Sequence, residues 1–184
     1  SGSASWTQLG ADINGEAAYD RSGVSVSLSS DGTKVAIGAY FNDGTATNAG
    51  HVRIYNYTPS GTASWTQLGA DIDGEAAYDR SGGSVSLSAD GTKVAIGAIN
   101  NDGTASTAGH VRIYNYTPSG TASWTQLGAD IDAEASTDYS GYSVSLSADG
   151  TKVAIGAYQN DAGNGSGDNR GHVRIYNYNG TAWT

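Results

Sequence analysis

The stretch Ser25-Val26-Ser27-Leu28-Ser29-Ser30-Asp31-Gly32-Thr33-Lys34-Val35-Ala36-Ile37-Gly38-Ala39 decides the fold. Apolar and small residues alternate along it, the period of two that marks a β-strand. Val26 and Leu28 fall on one face of the first arm, and Ser25, Ser27 and Ser29 on the other. In the second arm Val35 and Ile37 fall together, opposite Ala36 and Gly38. Between the arms, Asp31-Gly32 supplies the positive φ that a tight hairpin needs. The stretch therefore predicts a β-hairpin with one bulky aliphatic face and one nearly bare face. Stacked on a copy of itself, the bulky face of one unit fits the small face of the next, which is how repeat arrays build a continuous core.

The hairpin returns at residues 84–98 and 143–157. Around it everything else is copied at the same step. Trp6, Trp65, Trp124 and Trp183 stand 59 residues apart, the first three opening a Trp-Thr-Gln-Leu-Gly run. Next come a polar acidic stretch, the hairpin, and a loop rich in Asn, Asp, Gly and Thr. The unit closes with the alternating strand His51-Val52-Arg53-Ile54-Tyr55-Asn56-Tyr57. In the third unit a loop three residues longer (158–172) is compensated by a closing segment three residues shorter (172–183). Each unit reads as four strands, and no stretch sustains a helical period.

These observations predict an all-β protein, a β-propeller of three four-stranded blades of 59 residues. The expected organisation is one domain over 1–184 with repeats 6–64, 65–123 and 124–182, residues 183–184 opening a fourth. A β-sandwich, the competing all-β architecture, requires no three-fold internal repeat.

Composition narrows the partners. Eighteen acidic residues against nine basic ones give a net charge of −9, which argues against nucleic acid, whose phosphates need clustered Lys and Arg. No apolar run approaches transmembrane length, so no membrane insertion is expected. There is no Cys, hence neither disulfide nor thiolate chemistry.

The unit resembles the FG-GAP repeat of integrin-α-type propellers over nearly the whole chain. The resemblance is carried by Ser22-Gly23-Val24-Ser25-Val26, Gly38-Ala39-Tyr40 and Gly50-His51-Val52-Arg53-Ile54-Tyr55 with their copies. It is similar above all to bacterial surface-protein variants with Trp-x-Gln-Leu-Gly and Asp-Ile-Asp-Gly-Glu. The family's Phe and Pro are missing. The resemblance implies a secreted or cell-surface protein in adhesion or scaffolding, with an extracellular protein or glycan as partner. The family's calcium loop is cut here to Ser30-Asp31-Gly32, and one carboxylate cannot supply six to eight oxygen ligands, so calcium binding is not carried over to it.

Four groups of residues were candidates for chemistry. Asp12-Ile13-Asn14-Gly15-Glu16 recurs as Asp71-Ile72-Asp73-Gly74-Glu75 and Asp130-Ile131-Asp132-Ala133-Glu134, with Asp20, Asp79 and Asp138 nearby. Its pattern reads as a solvated loop held by Asx turns, with a calcium- or carbohydrate-binding module as the alternative. His51, His110 and His172 occupy equivalent strand positions and are expected to pack or hydrogen-bond rather than converge on a metal. Tyr55, Tyr57 and the tryptophans are expected to pack between blades rather than form a sugar shelf. The residues without counterparts (Tyr139, Tyr142 and the 163–170 loop) form no catalytic set. The expectation is a non-enzyme with no catalytic, cofactor or metal residue and no cofactor.

Closure follows from the arithmetic of blades. Closed propellers usually have four to eight, so three blades leave two open faces, and such patches drive association. Two copies make an allowed ring of six, so the expected partner is the chain itself, as a two-fold homodimer. The strand at 5–9 is expected to complete the last blade of the other copy, with Trp6 in the seat of Trp183 and the final residues displaced.

Overall fold

The structure is a computed structural model describing residues 5–59, 61, 63–118, 123–161 and 167–184. Residues 1–4, the turn positions 60, 62 and 119–122, and loop residues 162–166 lie outside the described residues. Thirteen strands form three antiparallel sheets, with no helix among the described residues. The first sheet is ordered β1 (Ser25–Leu28), β2 (Lys34–Ala39), β3 (His51–Thr58), and then two short strands that share the β3 edge, β4 (Ser64–Gln67) and β5 (Ile72–Asp73). The second repeats this with β6 (Ser81–Leu87), β7 (Lys93–Ala98), β8 (His110–Thr117), β9 (Ser123–Gln126) and β10 (Ile131–Asp132). The third holds β11 (Ser140–Leu146), β12 (Lys152–Ala157) and β13 (His172–Asn177).

The hairpin pairs as its alternation requires: Val26 faces Ile37 and Leu28 faces Val35 across the ladder. One face of each sheet is bulky (Val85, Leu87, Val94, Ile96 and Tyr114 in the second). The opposite face carries small residues and the aliphatics of the third strand (Ala36, Val52 and Ile54 in the first). These two faces pack together with Ile72 into a single buried cluster. The second joint repeats it, with Ala95, Val111, Ile113 and Ile131 against Leu146, Val153 and Ile155.

The joints are also tied by polar contacts that recur one repeat later. Ser25 Oγ donates to Gly82 O (2.7 Å) and Ser84 Oγ to Gly141 O (2.6 Å). Leu87 N donates to Ser27 Oγ, and Leu146 N to Ser86 Oγ, both at 2.9 Å. Lys34 Nζ reaches Asp90 O (3.0 Å) and Lys93 Nζ reaches Asp149 O (3.2 Å). Gly38 and Gly97 permit this approach, since a Cβ on either would stand 2.0 or 2.1 Å from a carbonyl oxygen of the next sheet.

Three expectations need correction. The stretch Asp71-Ile72-Asp73 is not a solvated loop: Ile72 pairs with Val52, is buried, and extends the outer edge of the first sheet. The chain turns out of the ladder after Gln67, at Gly69 (φ 80°), and rejoins it at Ile72, so one acidic segment supplies a core residue and carboxylates together. The Trp6 run forms no strand, and Trp6 is fully exposed, because no third strand lies beside it to complete a ladder. Finally, the last residues are not displaced. Trp183 forms a bridge with Tyr178 and donates Nε1 to Leu127 O (2.7 Å), as Trp124 does to Leu68 O (2.7 Å) and Trp65 to Leu9 O (2.8 Å).

Candidate functional site

Strand pairing brings the acidic stretches onto the histidines. The first two sheets each set their third strand against the acidic segment that follows it, with His51 opposite Asp73 and His110 opposite Asp132 in register. The acidic segment that precedes the sheet approaches from the other side. Arg53 Nη2 donates to Asn14 O (2.8 Å), and its Nη1 lies 3.5 Å from Glu16. Arg112 repeats this on Asp73 O (2.8 Å) and Glu75 (3.1 Å). Arg174 pairs with Glu134 in the third repeat.

The result is a His–Glu–Asp cluster at each of the first two sheets, each joining two successive repeats: Glu16, His51 and Asp71, then Glu75, His110 and Asp130. His51 Nδ1 lies 3.8 Å from Glu16 Oε2 and 3.7 Å from Asp71 Oδ2. His110 Nδ1 lies 3.7 Å from Asp130 Oδ2 and 3.9 Å from Asp132 Oδ1. Both rings are 1% exposed, and their Nε2 atoms have no hydrogen-bond partner. Burial, reinforced by the Arg112 charge, holds His110 below the ordinary imidazole pKa against the pull of Asp130, Glu75 and Asp132. Burial, and then the neighbouring Asp71 charge, raises the Asp73 carboxyl.

The three histidines stand on separate sheets, at the starts of β3, β8 and β13. Of the two expected roles, packing or hydrogen bonding, His51 and His110 show packing: each ring is buried, with its imidazole facing carboxylates beyond hydrogen-bonding distance.

The other candidates have structural partners. Asp20, Asp79 and Asp138 are buried and accept from Asn42, Asn101 and Asn160 and from the backbone N–H three residues before each. They sit between residues of positive φ, such as Tyr19 and Arg21, and lock that turn. Asp31 accepts from Ser29 Oγ (2.7 Å) and Thr33 N (2.9 Å), which close the hairpin turn. The tryptophans pack on tyrosines, with ring centroids 5.1–5.2 Å apart in Tyr57–Trp65, Tyr116–Trp124 and Tyr178–Trp183. Tyr55 and Tyr114 are buried.

A second region escapes a residue-by-residue search. The three units are near copies, yet Arg21, Arg80 and Tyr139 differ at one position, Val24, Gly83 and Tyr142 at another, and Tyr40, Ile99 and Tyr158 at a third. All lie where the first strands begin and the second strands end, the same end of every sheet. Six of them, Val24, Tyr40, Arg80, Gly83, Ile99 and Tyr142, line one open groove of about 410 Å³ spanning all three sheets. Superposing the repeats in the sequence would have found it, because substitutions gathered at one end of otherwise copied units mark a face free of the packing that holds the rest.

Residues 14–55, spanning the first hairpin and the His51 strand, match the model of the FG-GAP repeat. The chain carries an FG-GAP repeat. The propeller-like sheet arrangement is shared with a solved structure from Bacteroides uniformis ATCC 8492 described as a 6-phosphogluconolactonase (TM-score 0.53, 14% identity, 87% of this chain and 38% of that one). The hydrazine synthase of Kuenenia stuttgartiensis is also similar (TM-score 0.46, 14% identity, 84% of this chain and 45% of that one). The chain thus spans less than half the length of either protein, and at 14% identity the likeness to the first bears on fold alone. Among curated proteins, none matches the sequence. No described helix is long and apolar enough to cross a membrane.

Proposed function

We propose that the chain is a non-catalytic, protein-interaction β-propeller module of three blades, 6–64, 65–123 and 124–182, that closes by self-association. Two copies would complete a six-bladed ring serving as an adhesion or scaffolding element outside the cell. The observation that carries this reading is the match between the two open faces. The bulky face of the first sheet leaves Val26 63% and Leu28 61% exposed, and the small face of the third leaves Val173 68% and Ile175 72% exposed. These residues are the repeat equivalents of Val85 and Leu87, and of Val52 and Ile54, which bury one another in the first interior joint.

The polar ties support the same pairing. Ser143, Ser145 and Lys152 are exposed on the third sheet, in the positions where Ser25, Ser27 and Lys34 tie the first sheet to the second. On the first sheet, a Cβ added at Gly23 would meet nothing within 4 Å, whereas at its counterparts Gly82 and Gly141 it would meet the backbone oxygens of His51 and His110 at 2.5 and 2.6 Å. A second copy supplies each missing partner when its first sheet docks on the third sheet of its neighbour. Two such joints close the ring. Trp183 filling its own seat in the single chain favours a face-to-face joint, and strand exchange would require Trp6 of the second copy to displace it. The groove lined by Tyr40, Ile99 and Tyr142 is where an outside protein would be read, since the residues lining it differ from blade to blade.

Light scattering on a sizing column tests the proposal. The expected mass is twice the 18.7 kDa of one chain, falling to one chain when Val173 and Ile175 are both replaced by Asp. A wild-type monomer at micromolar concentration, or a dimer indifferent to these substitutions, overturns it.

A further inference from the structure

Each of the first two His–Glu–Asp clusters has a gap between its donor atoms. His51 Nδ1 stands 3.7 and 3.8 Å from two carboxylate oxygens, too far for a hydrogen bond. Ligands that each sit about 2.0–2.2 Å from one small cation lie roughly 3–4 Å from one another, so this spacing suits atoms flanking an ion. His51 Nδ1 makes no hydrogen bond and faces two carboxylates, so with the proton on Nε2 its lone pair is turned toward the centre of the cluster, the arrangement of a ligand atom. The ring is 1% exposed and so is held in that orientation by its packing.

Charge points the same way. Glu16, Asp71 and Asp73 surround His51 with Arg53 as the cationic neighbour, so the cluster carries two unbalanced negative charges when the imidazole is neutral. Glu75, Asp130 and Asp132 with Arg112 reproduce that balance around His110. The carboxylates are the open side: the Glu16 and Asp71 side chains are 45% and 30% exposed, which gives an ion a way in and leaves room for water in the remaining coordination positions.

We propose that each cluster is a binding site for a first-row divalent cation, held by Glu16, His51 and Asp71 at the first sheet and by Glu75, His110 and Asp130 at the second. An imidazole with two carboxylates suits zinc and its neighbours, whereas calcium takes an all-oxygen set. The sites belong to the outer edges of the sheets, between the acidic segments that enter and leave each one. An ion there would clamp the fourth strand of one repeat to the segment that precedes its first.

Zinc titration of the metal-free full chain by calorimetry tests this. Wild type is expected to take up two ions per chain, one for each cluster. Asp71→Asn retains the Oδ1 that accepts from Gln67 Nε2 (2.6 Å) while weakening Oδ2 as a ligand. It is expected to take up one ion, the surviving site reporting that the chain is folded. Asp71→Asn with Asp130→Asn is expected to take up none, at an unchanged far-ultraviolet spectrum. Calcium in tenfold excess is expected to leave zinc uptake intact. No saturable uptake, equal uptake by wild type and the double variant, or displacement of zinc by calcium would each overturn the proposal and leave the gaps to water.

Discussion

Leu28 and Leu87 occupy the same place in two copies of one hairpin, yet Leu87 is 7% exposed and Leu28 61%. Val85 and Val26 differ in the same way, 9% against 63%. Their own strands and turns are the same; what changes is the neighbour. Sheet two has the Ala36–Val52–Ile54 face beneath it, and sheet one has nothing equivalent. The backbone responds as well as the side chains. The first strand spans Ser81–Leu87 in the second repeat but only Ser25–Leu28 in the first. Ser81 N is fixed by Ala49 O of the preceding repeat (2.8 Å), and Ser22 N makes no such bond among the described residues. In a stacked array, then, stability lies in joints between units more than in the units.

The comparison breaks most sharply at the glycines of the second strands. A Cβ at Gly97 would lie 2.1 Å from the backbone oxygen of Gly141, which cannot move without opening the joint. Gly97→Ala is expected to cost about 3 kcal/mol in chemical denaturation. At Gly156 the atoms met by a Cβ belong to Ser143 of the same sheet, nearest a hydroxyl free to rotate. Gly156→Ala should therefore cost the protomer less than about 1 kcal/mol while abolishing the dimer, because it puts a methyl where the second copy's Gly23 must approach. Equal losses of protomer stability at both positions, measured below the dissociation concentration, would erase the distinction between inner and open faces.

Leucine truncation sharpens the comparison at a smaller scale. Leu87→Ala removes a buried side chain from the first joint and is expected to cost about 2–3 kcal/mol. Leu28→Ala should lie within about 0.5 kcal/mol of wild type in the monomer. If copies associate as proposed, its cost rises with protein concentration toward that of Leu87→Ala, since assembly adds to stability by mass action. A cost for Leu28→Ala that is independent of concentration argues against the joint.

Much of this was legible in the sequence. Alternation placed Val26 with Ile37 on one face, and the contrast of bulky and bare faces gave the stacking that buries Ala36 against the next sheet. The clusters around His51 and His110 were not legible, for a physical reason. Their members come from three separate stretches, and their meeting depends on the fourth strand leaving the ladder at Gly69 and rejoining at Ile72. A polar run with a single Ile reads as loop when the pairing that buries the Ile is unknown. The exposure of Trp6 and the seating of Trp183 were equally out of reach, since both runs of residues match strands elsewhere in the chain and differ only in what lies beside them.

The smallest effect belongs to the carboxyls of the hairpin turns, whose donors lie in their own hairpin although the turn backbones are tied to the next sheet. Hydrogen bonds from the Ser29 hydroxyl and then from Thr33 lower the Asp31 carboxyl to about 2. Asp149 is lowered by the same set from Ser147 and Thr151. Asp90 is lowered too, although partial burial opposes the bonds from Ser88 and Thr92. A carboxyl whose folded pKa lies below its unfolded value contributes stability that is present above the unfolded value, about 4, and fades as pH falls through the folded one. Asp31→Asn keeps an acceptor oxygen but loses the charge. Its melting midpoint is expected to lie below wild type at about pH 7 and to converge with it near pH 2. The shift should be the same in monomer and dimer, because Ser29 and Thr33 belong to the same hairpin as Asp31. A difference that persists unchanged into acid would mean that the turn holds by shape and not by charge, and a difference that depends on concentration would mean that the Asp31 carboxylate, and not only the backbone oxygen that Lys152 of a second copy would reach, takes part in the joint.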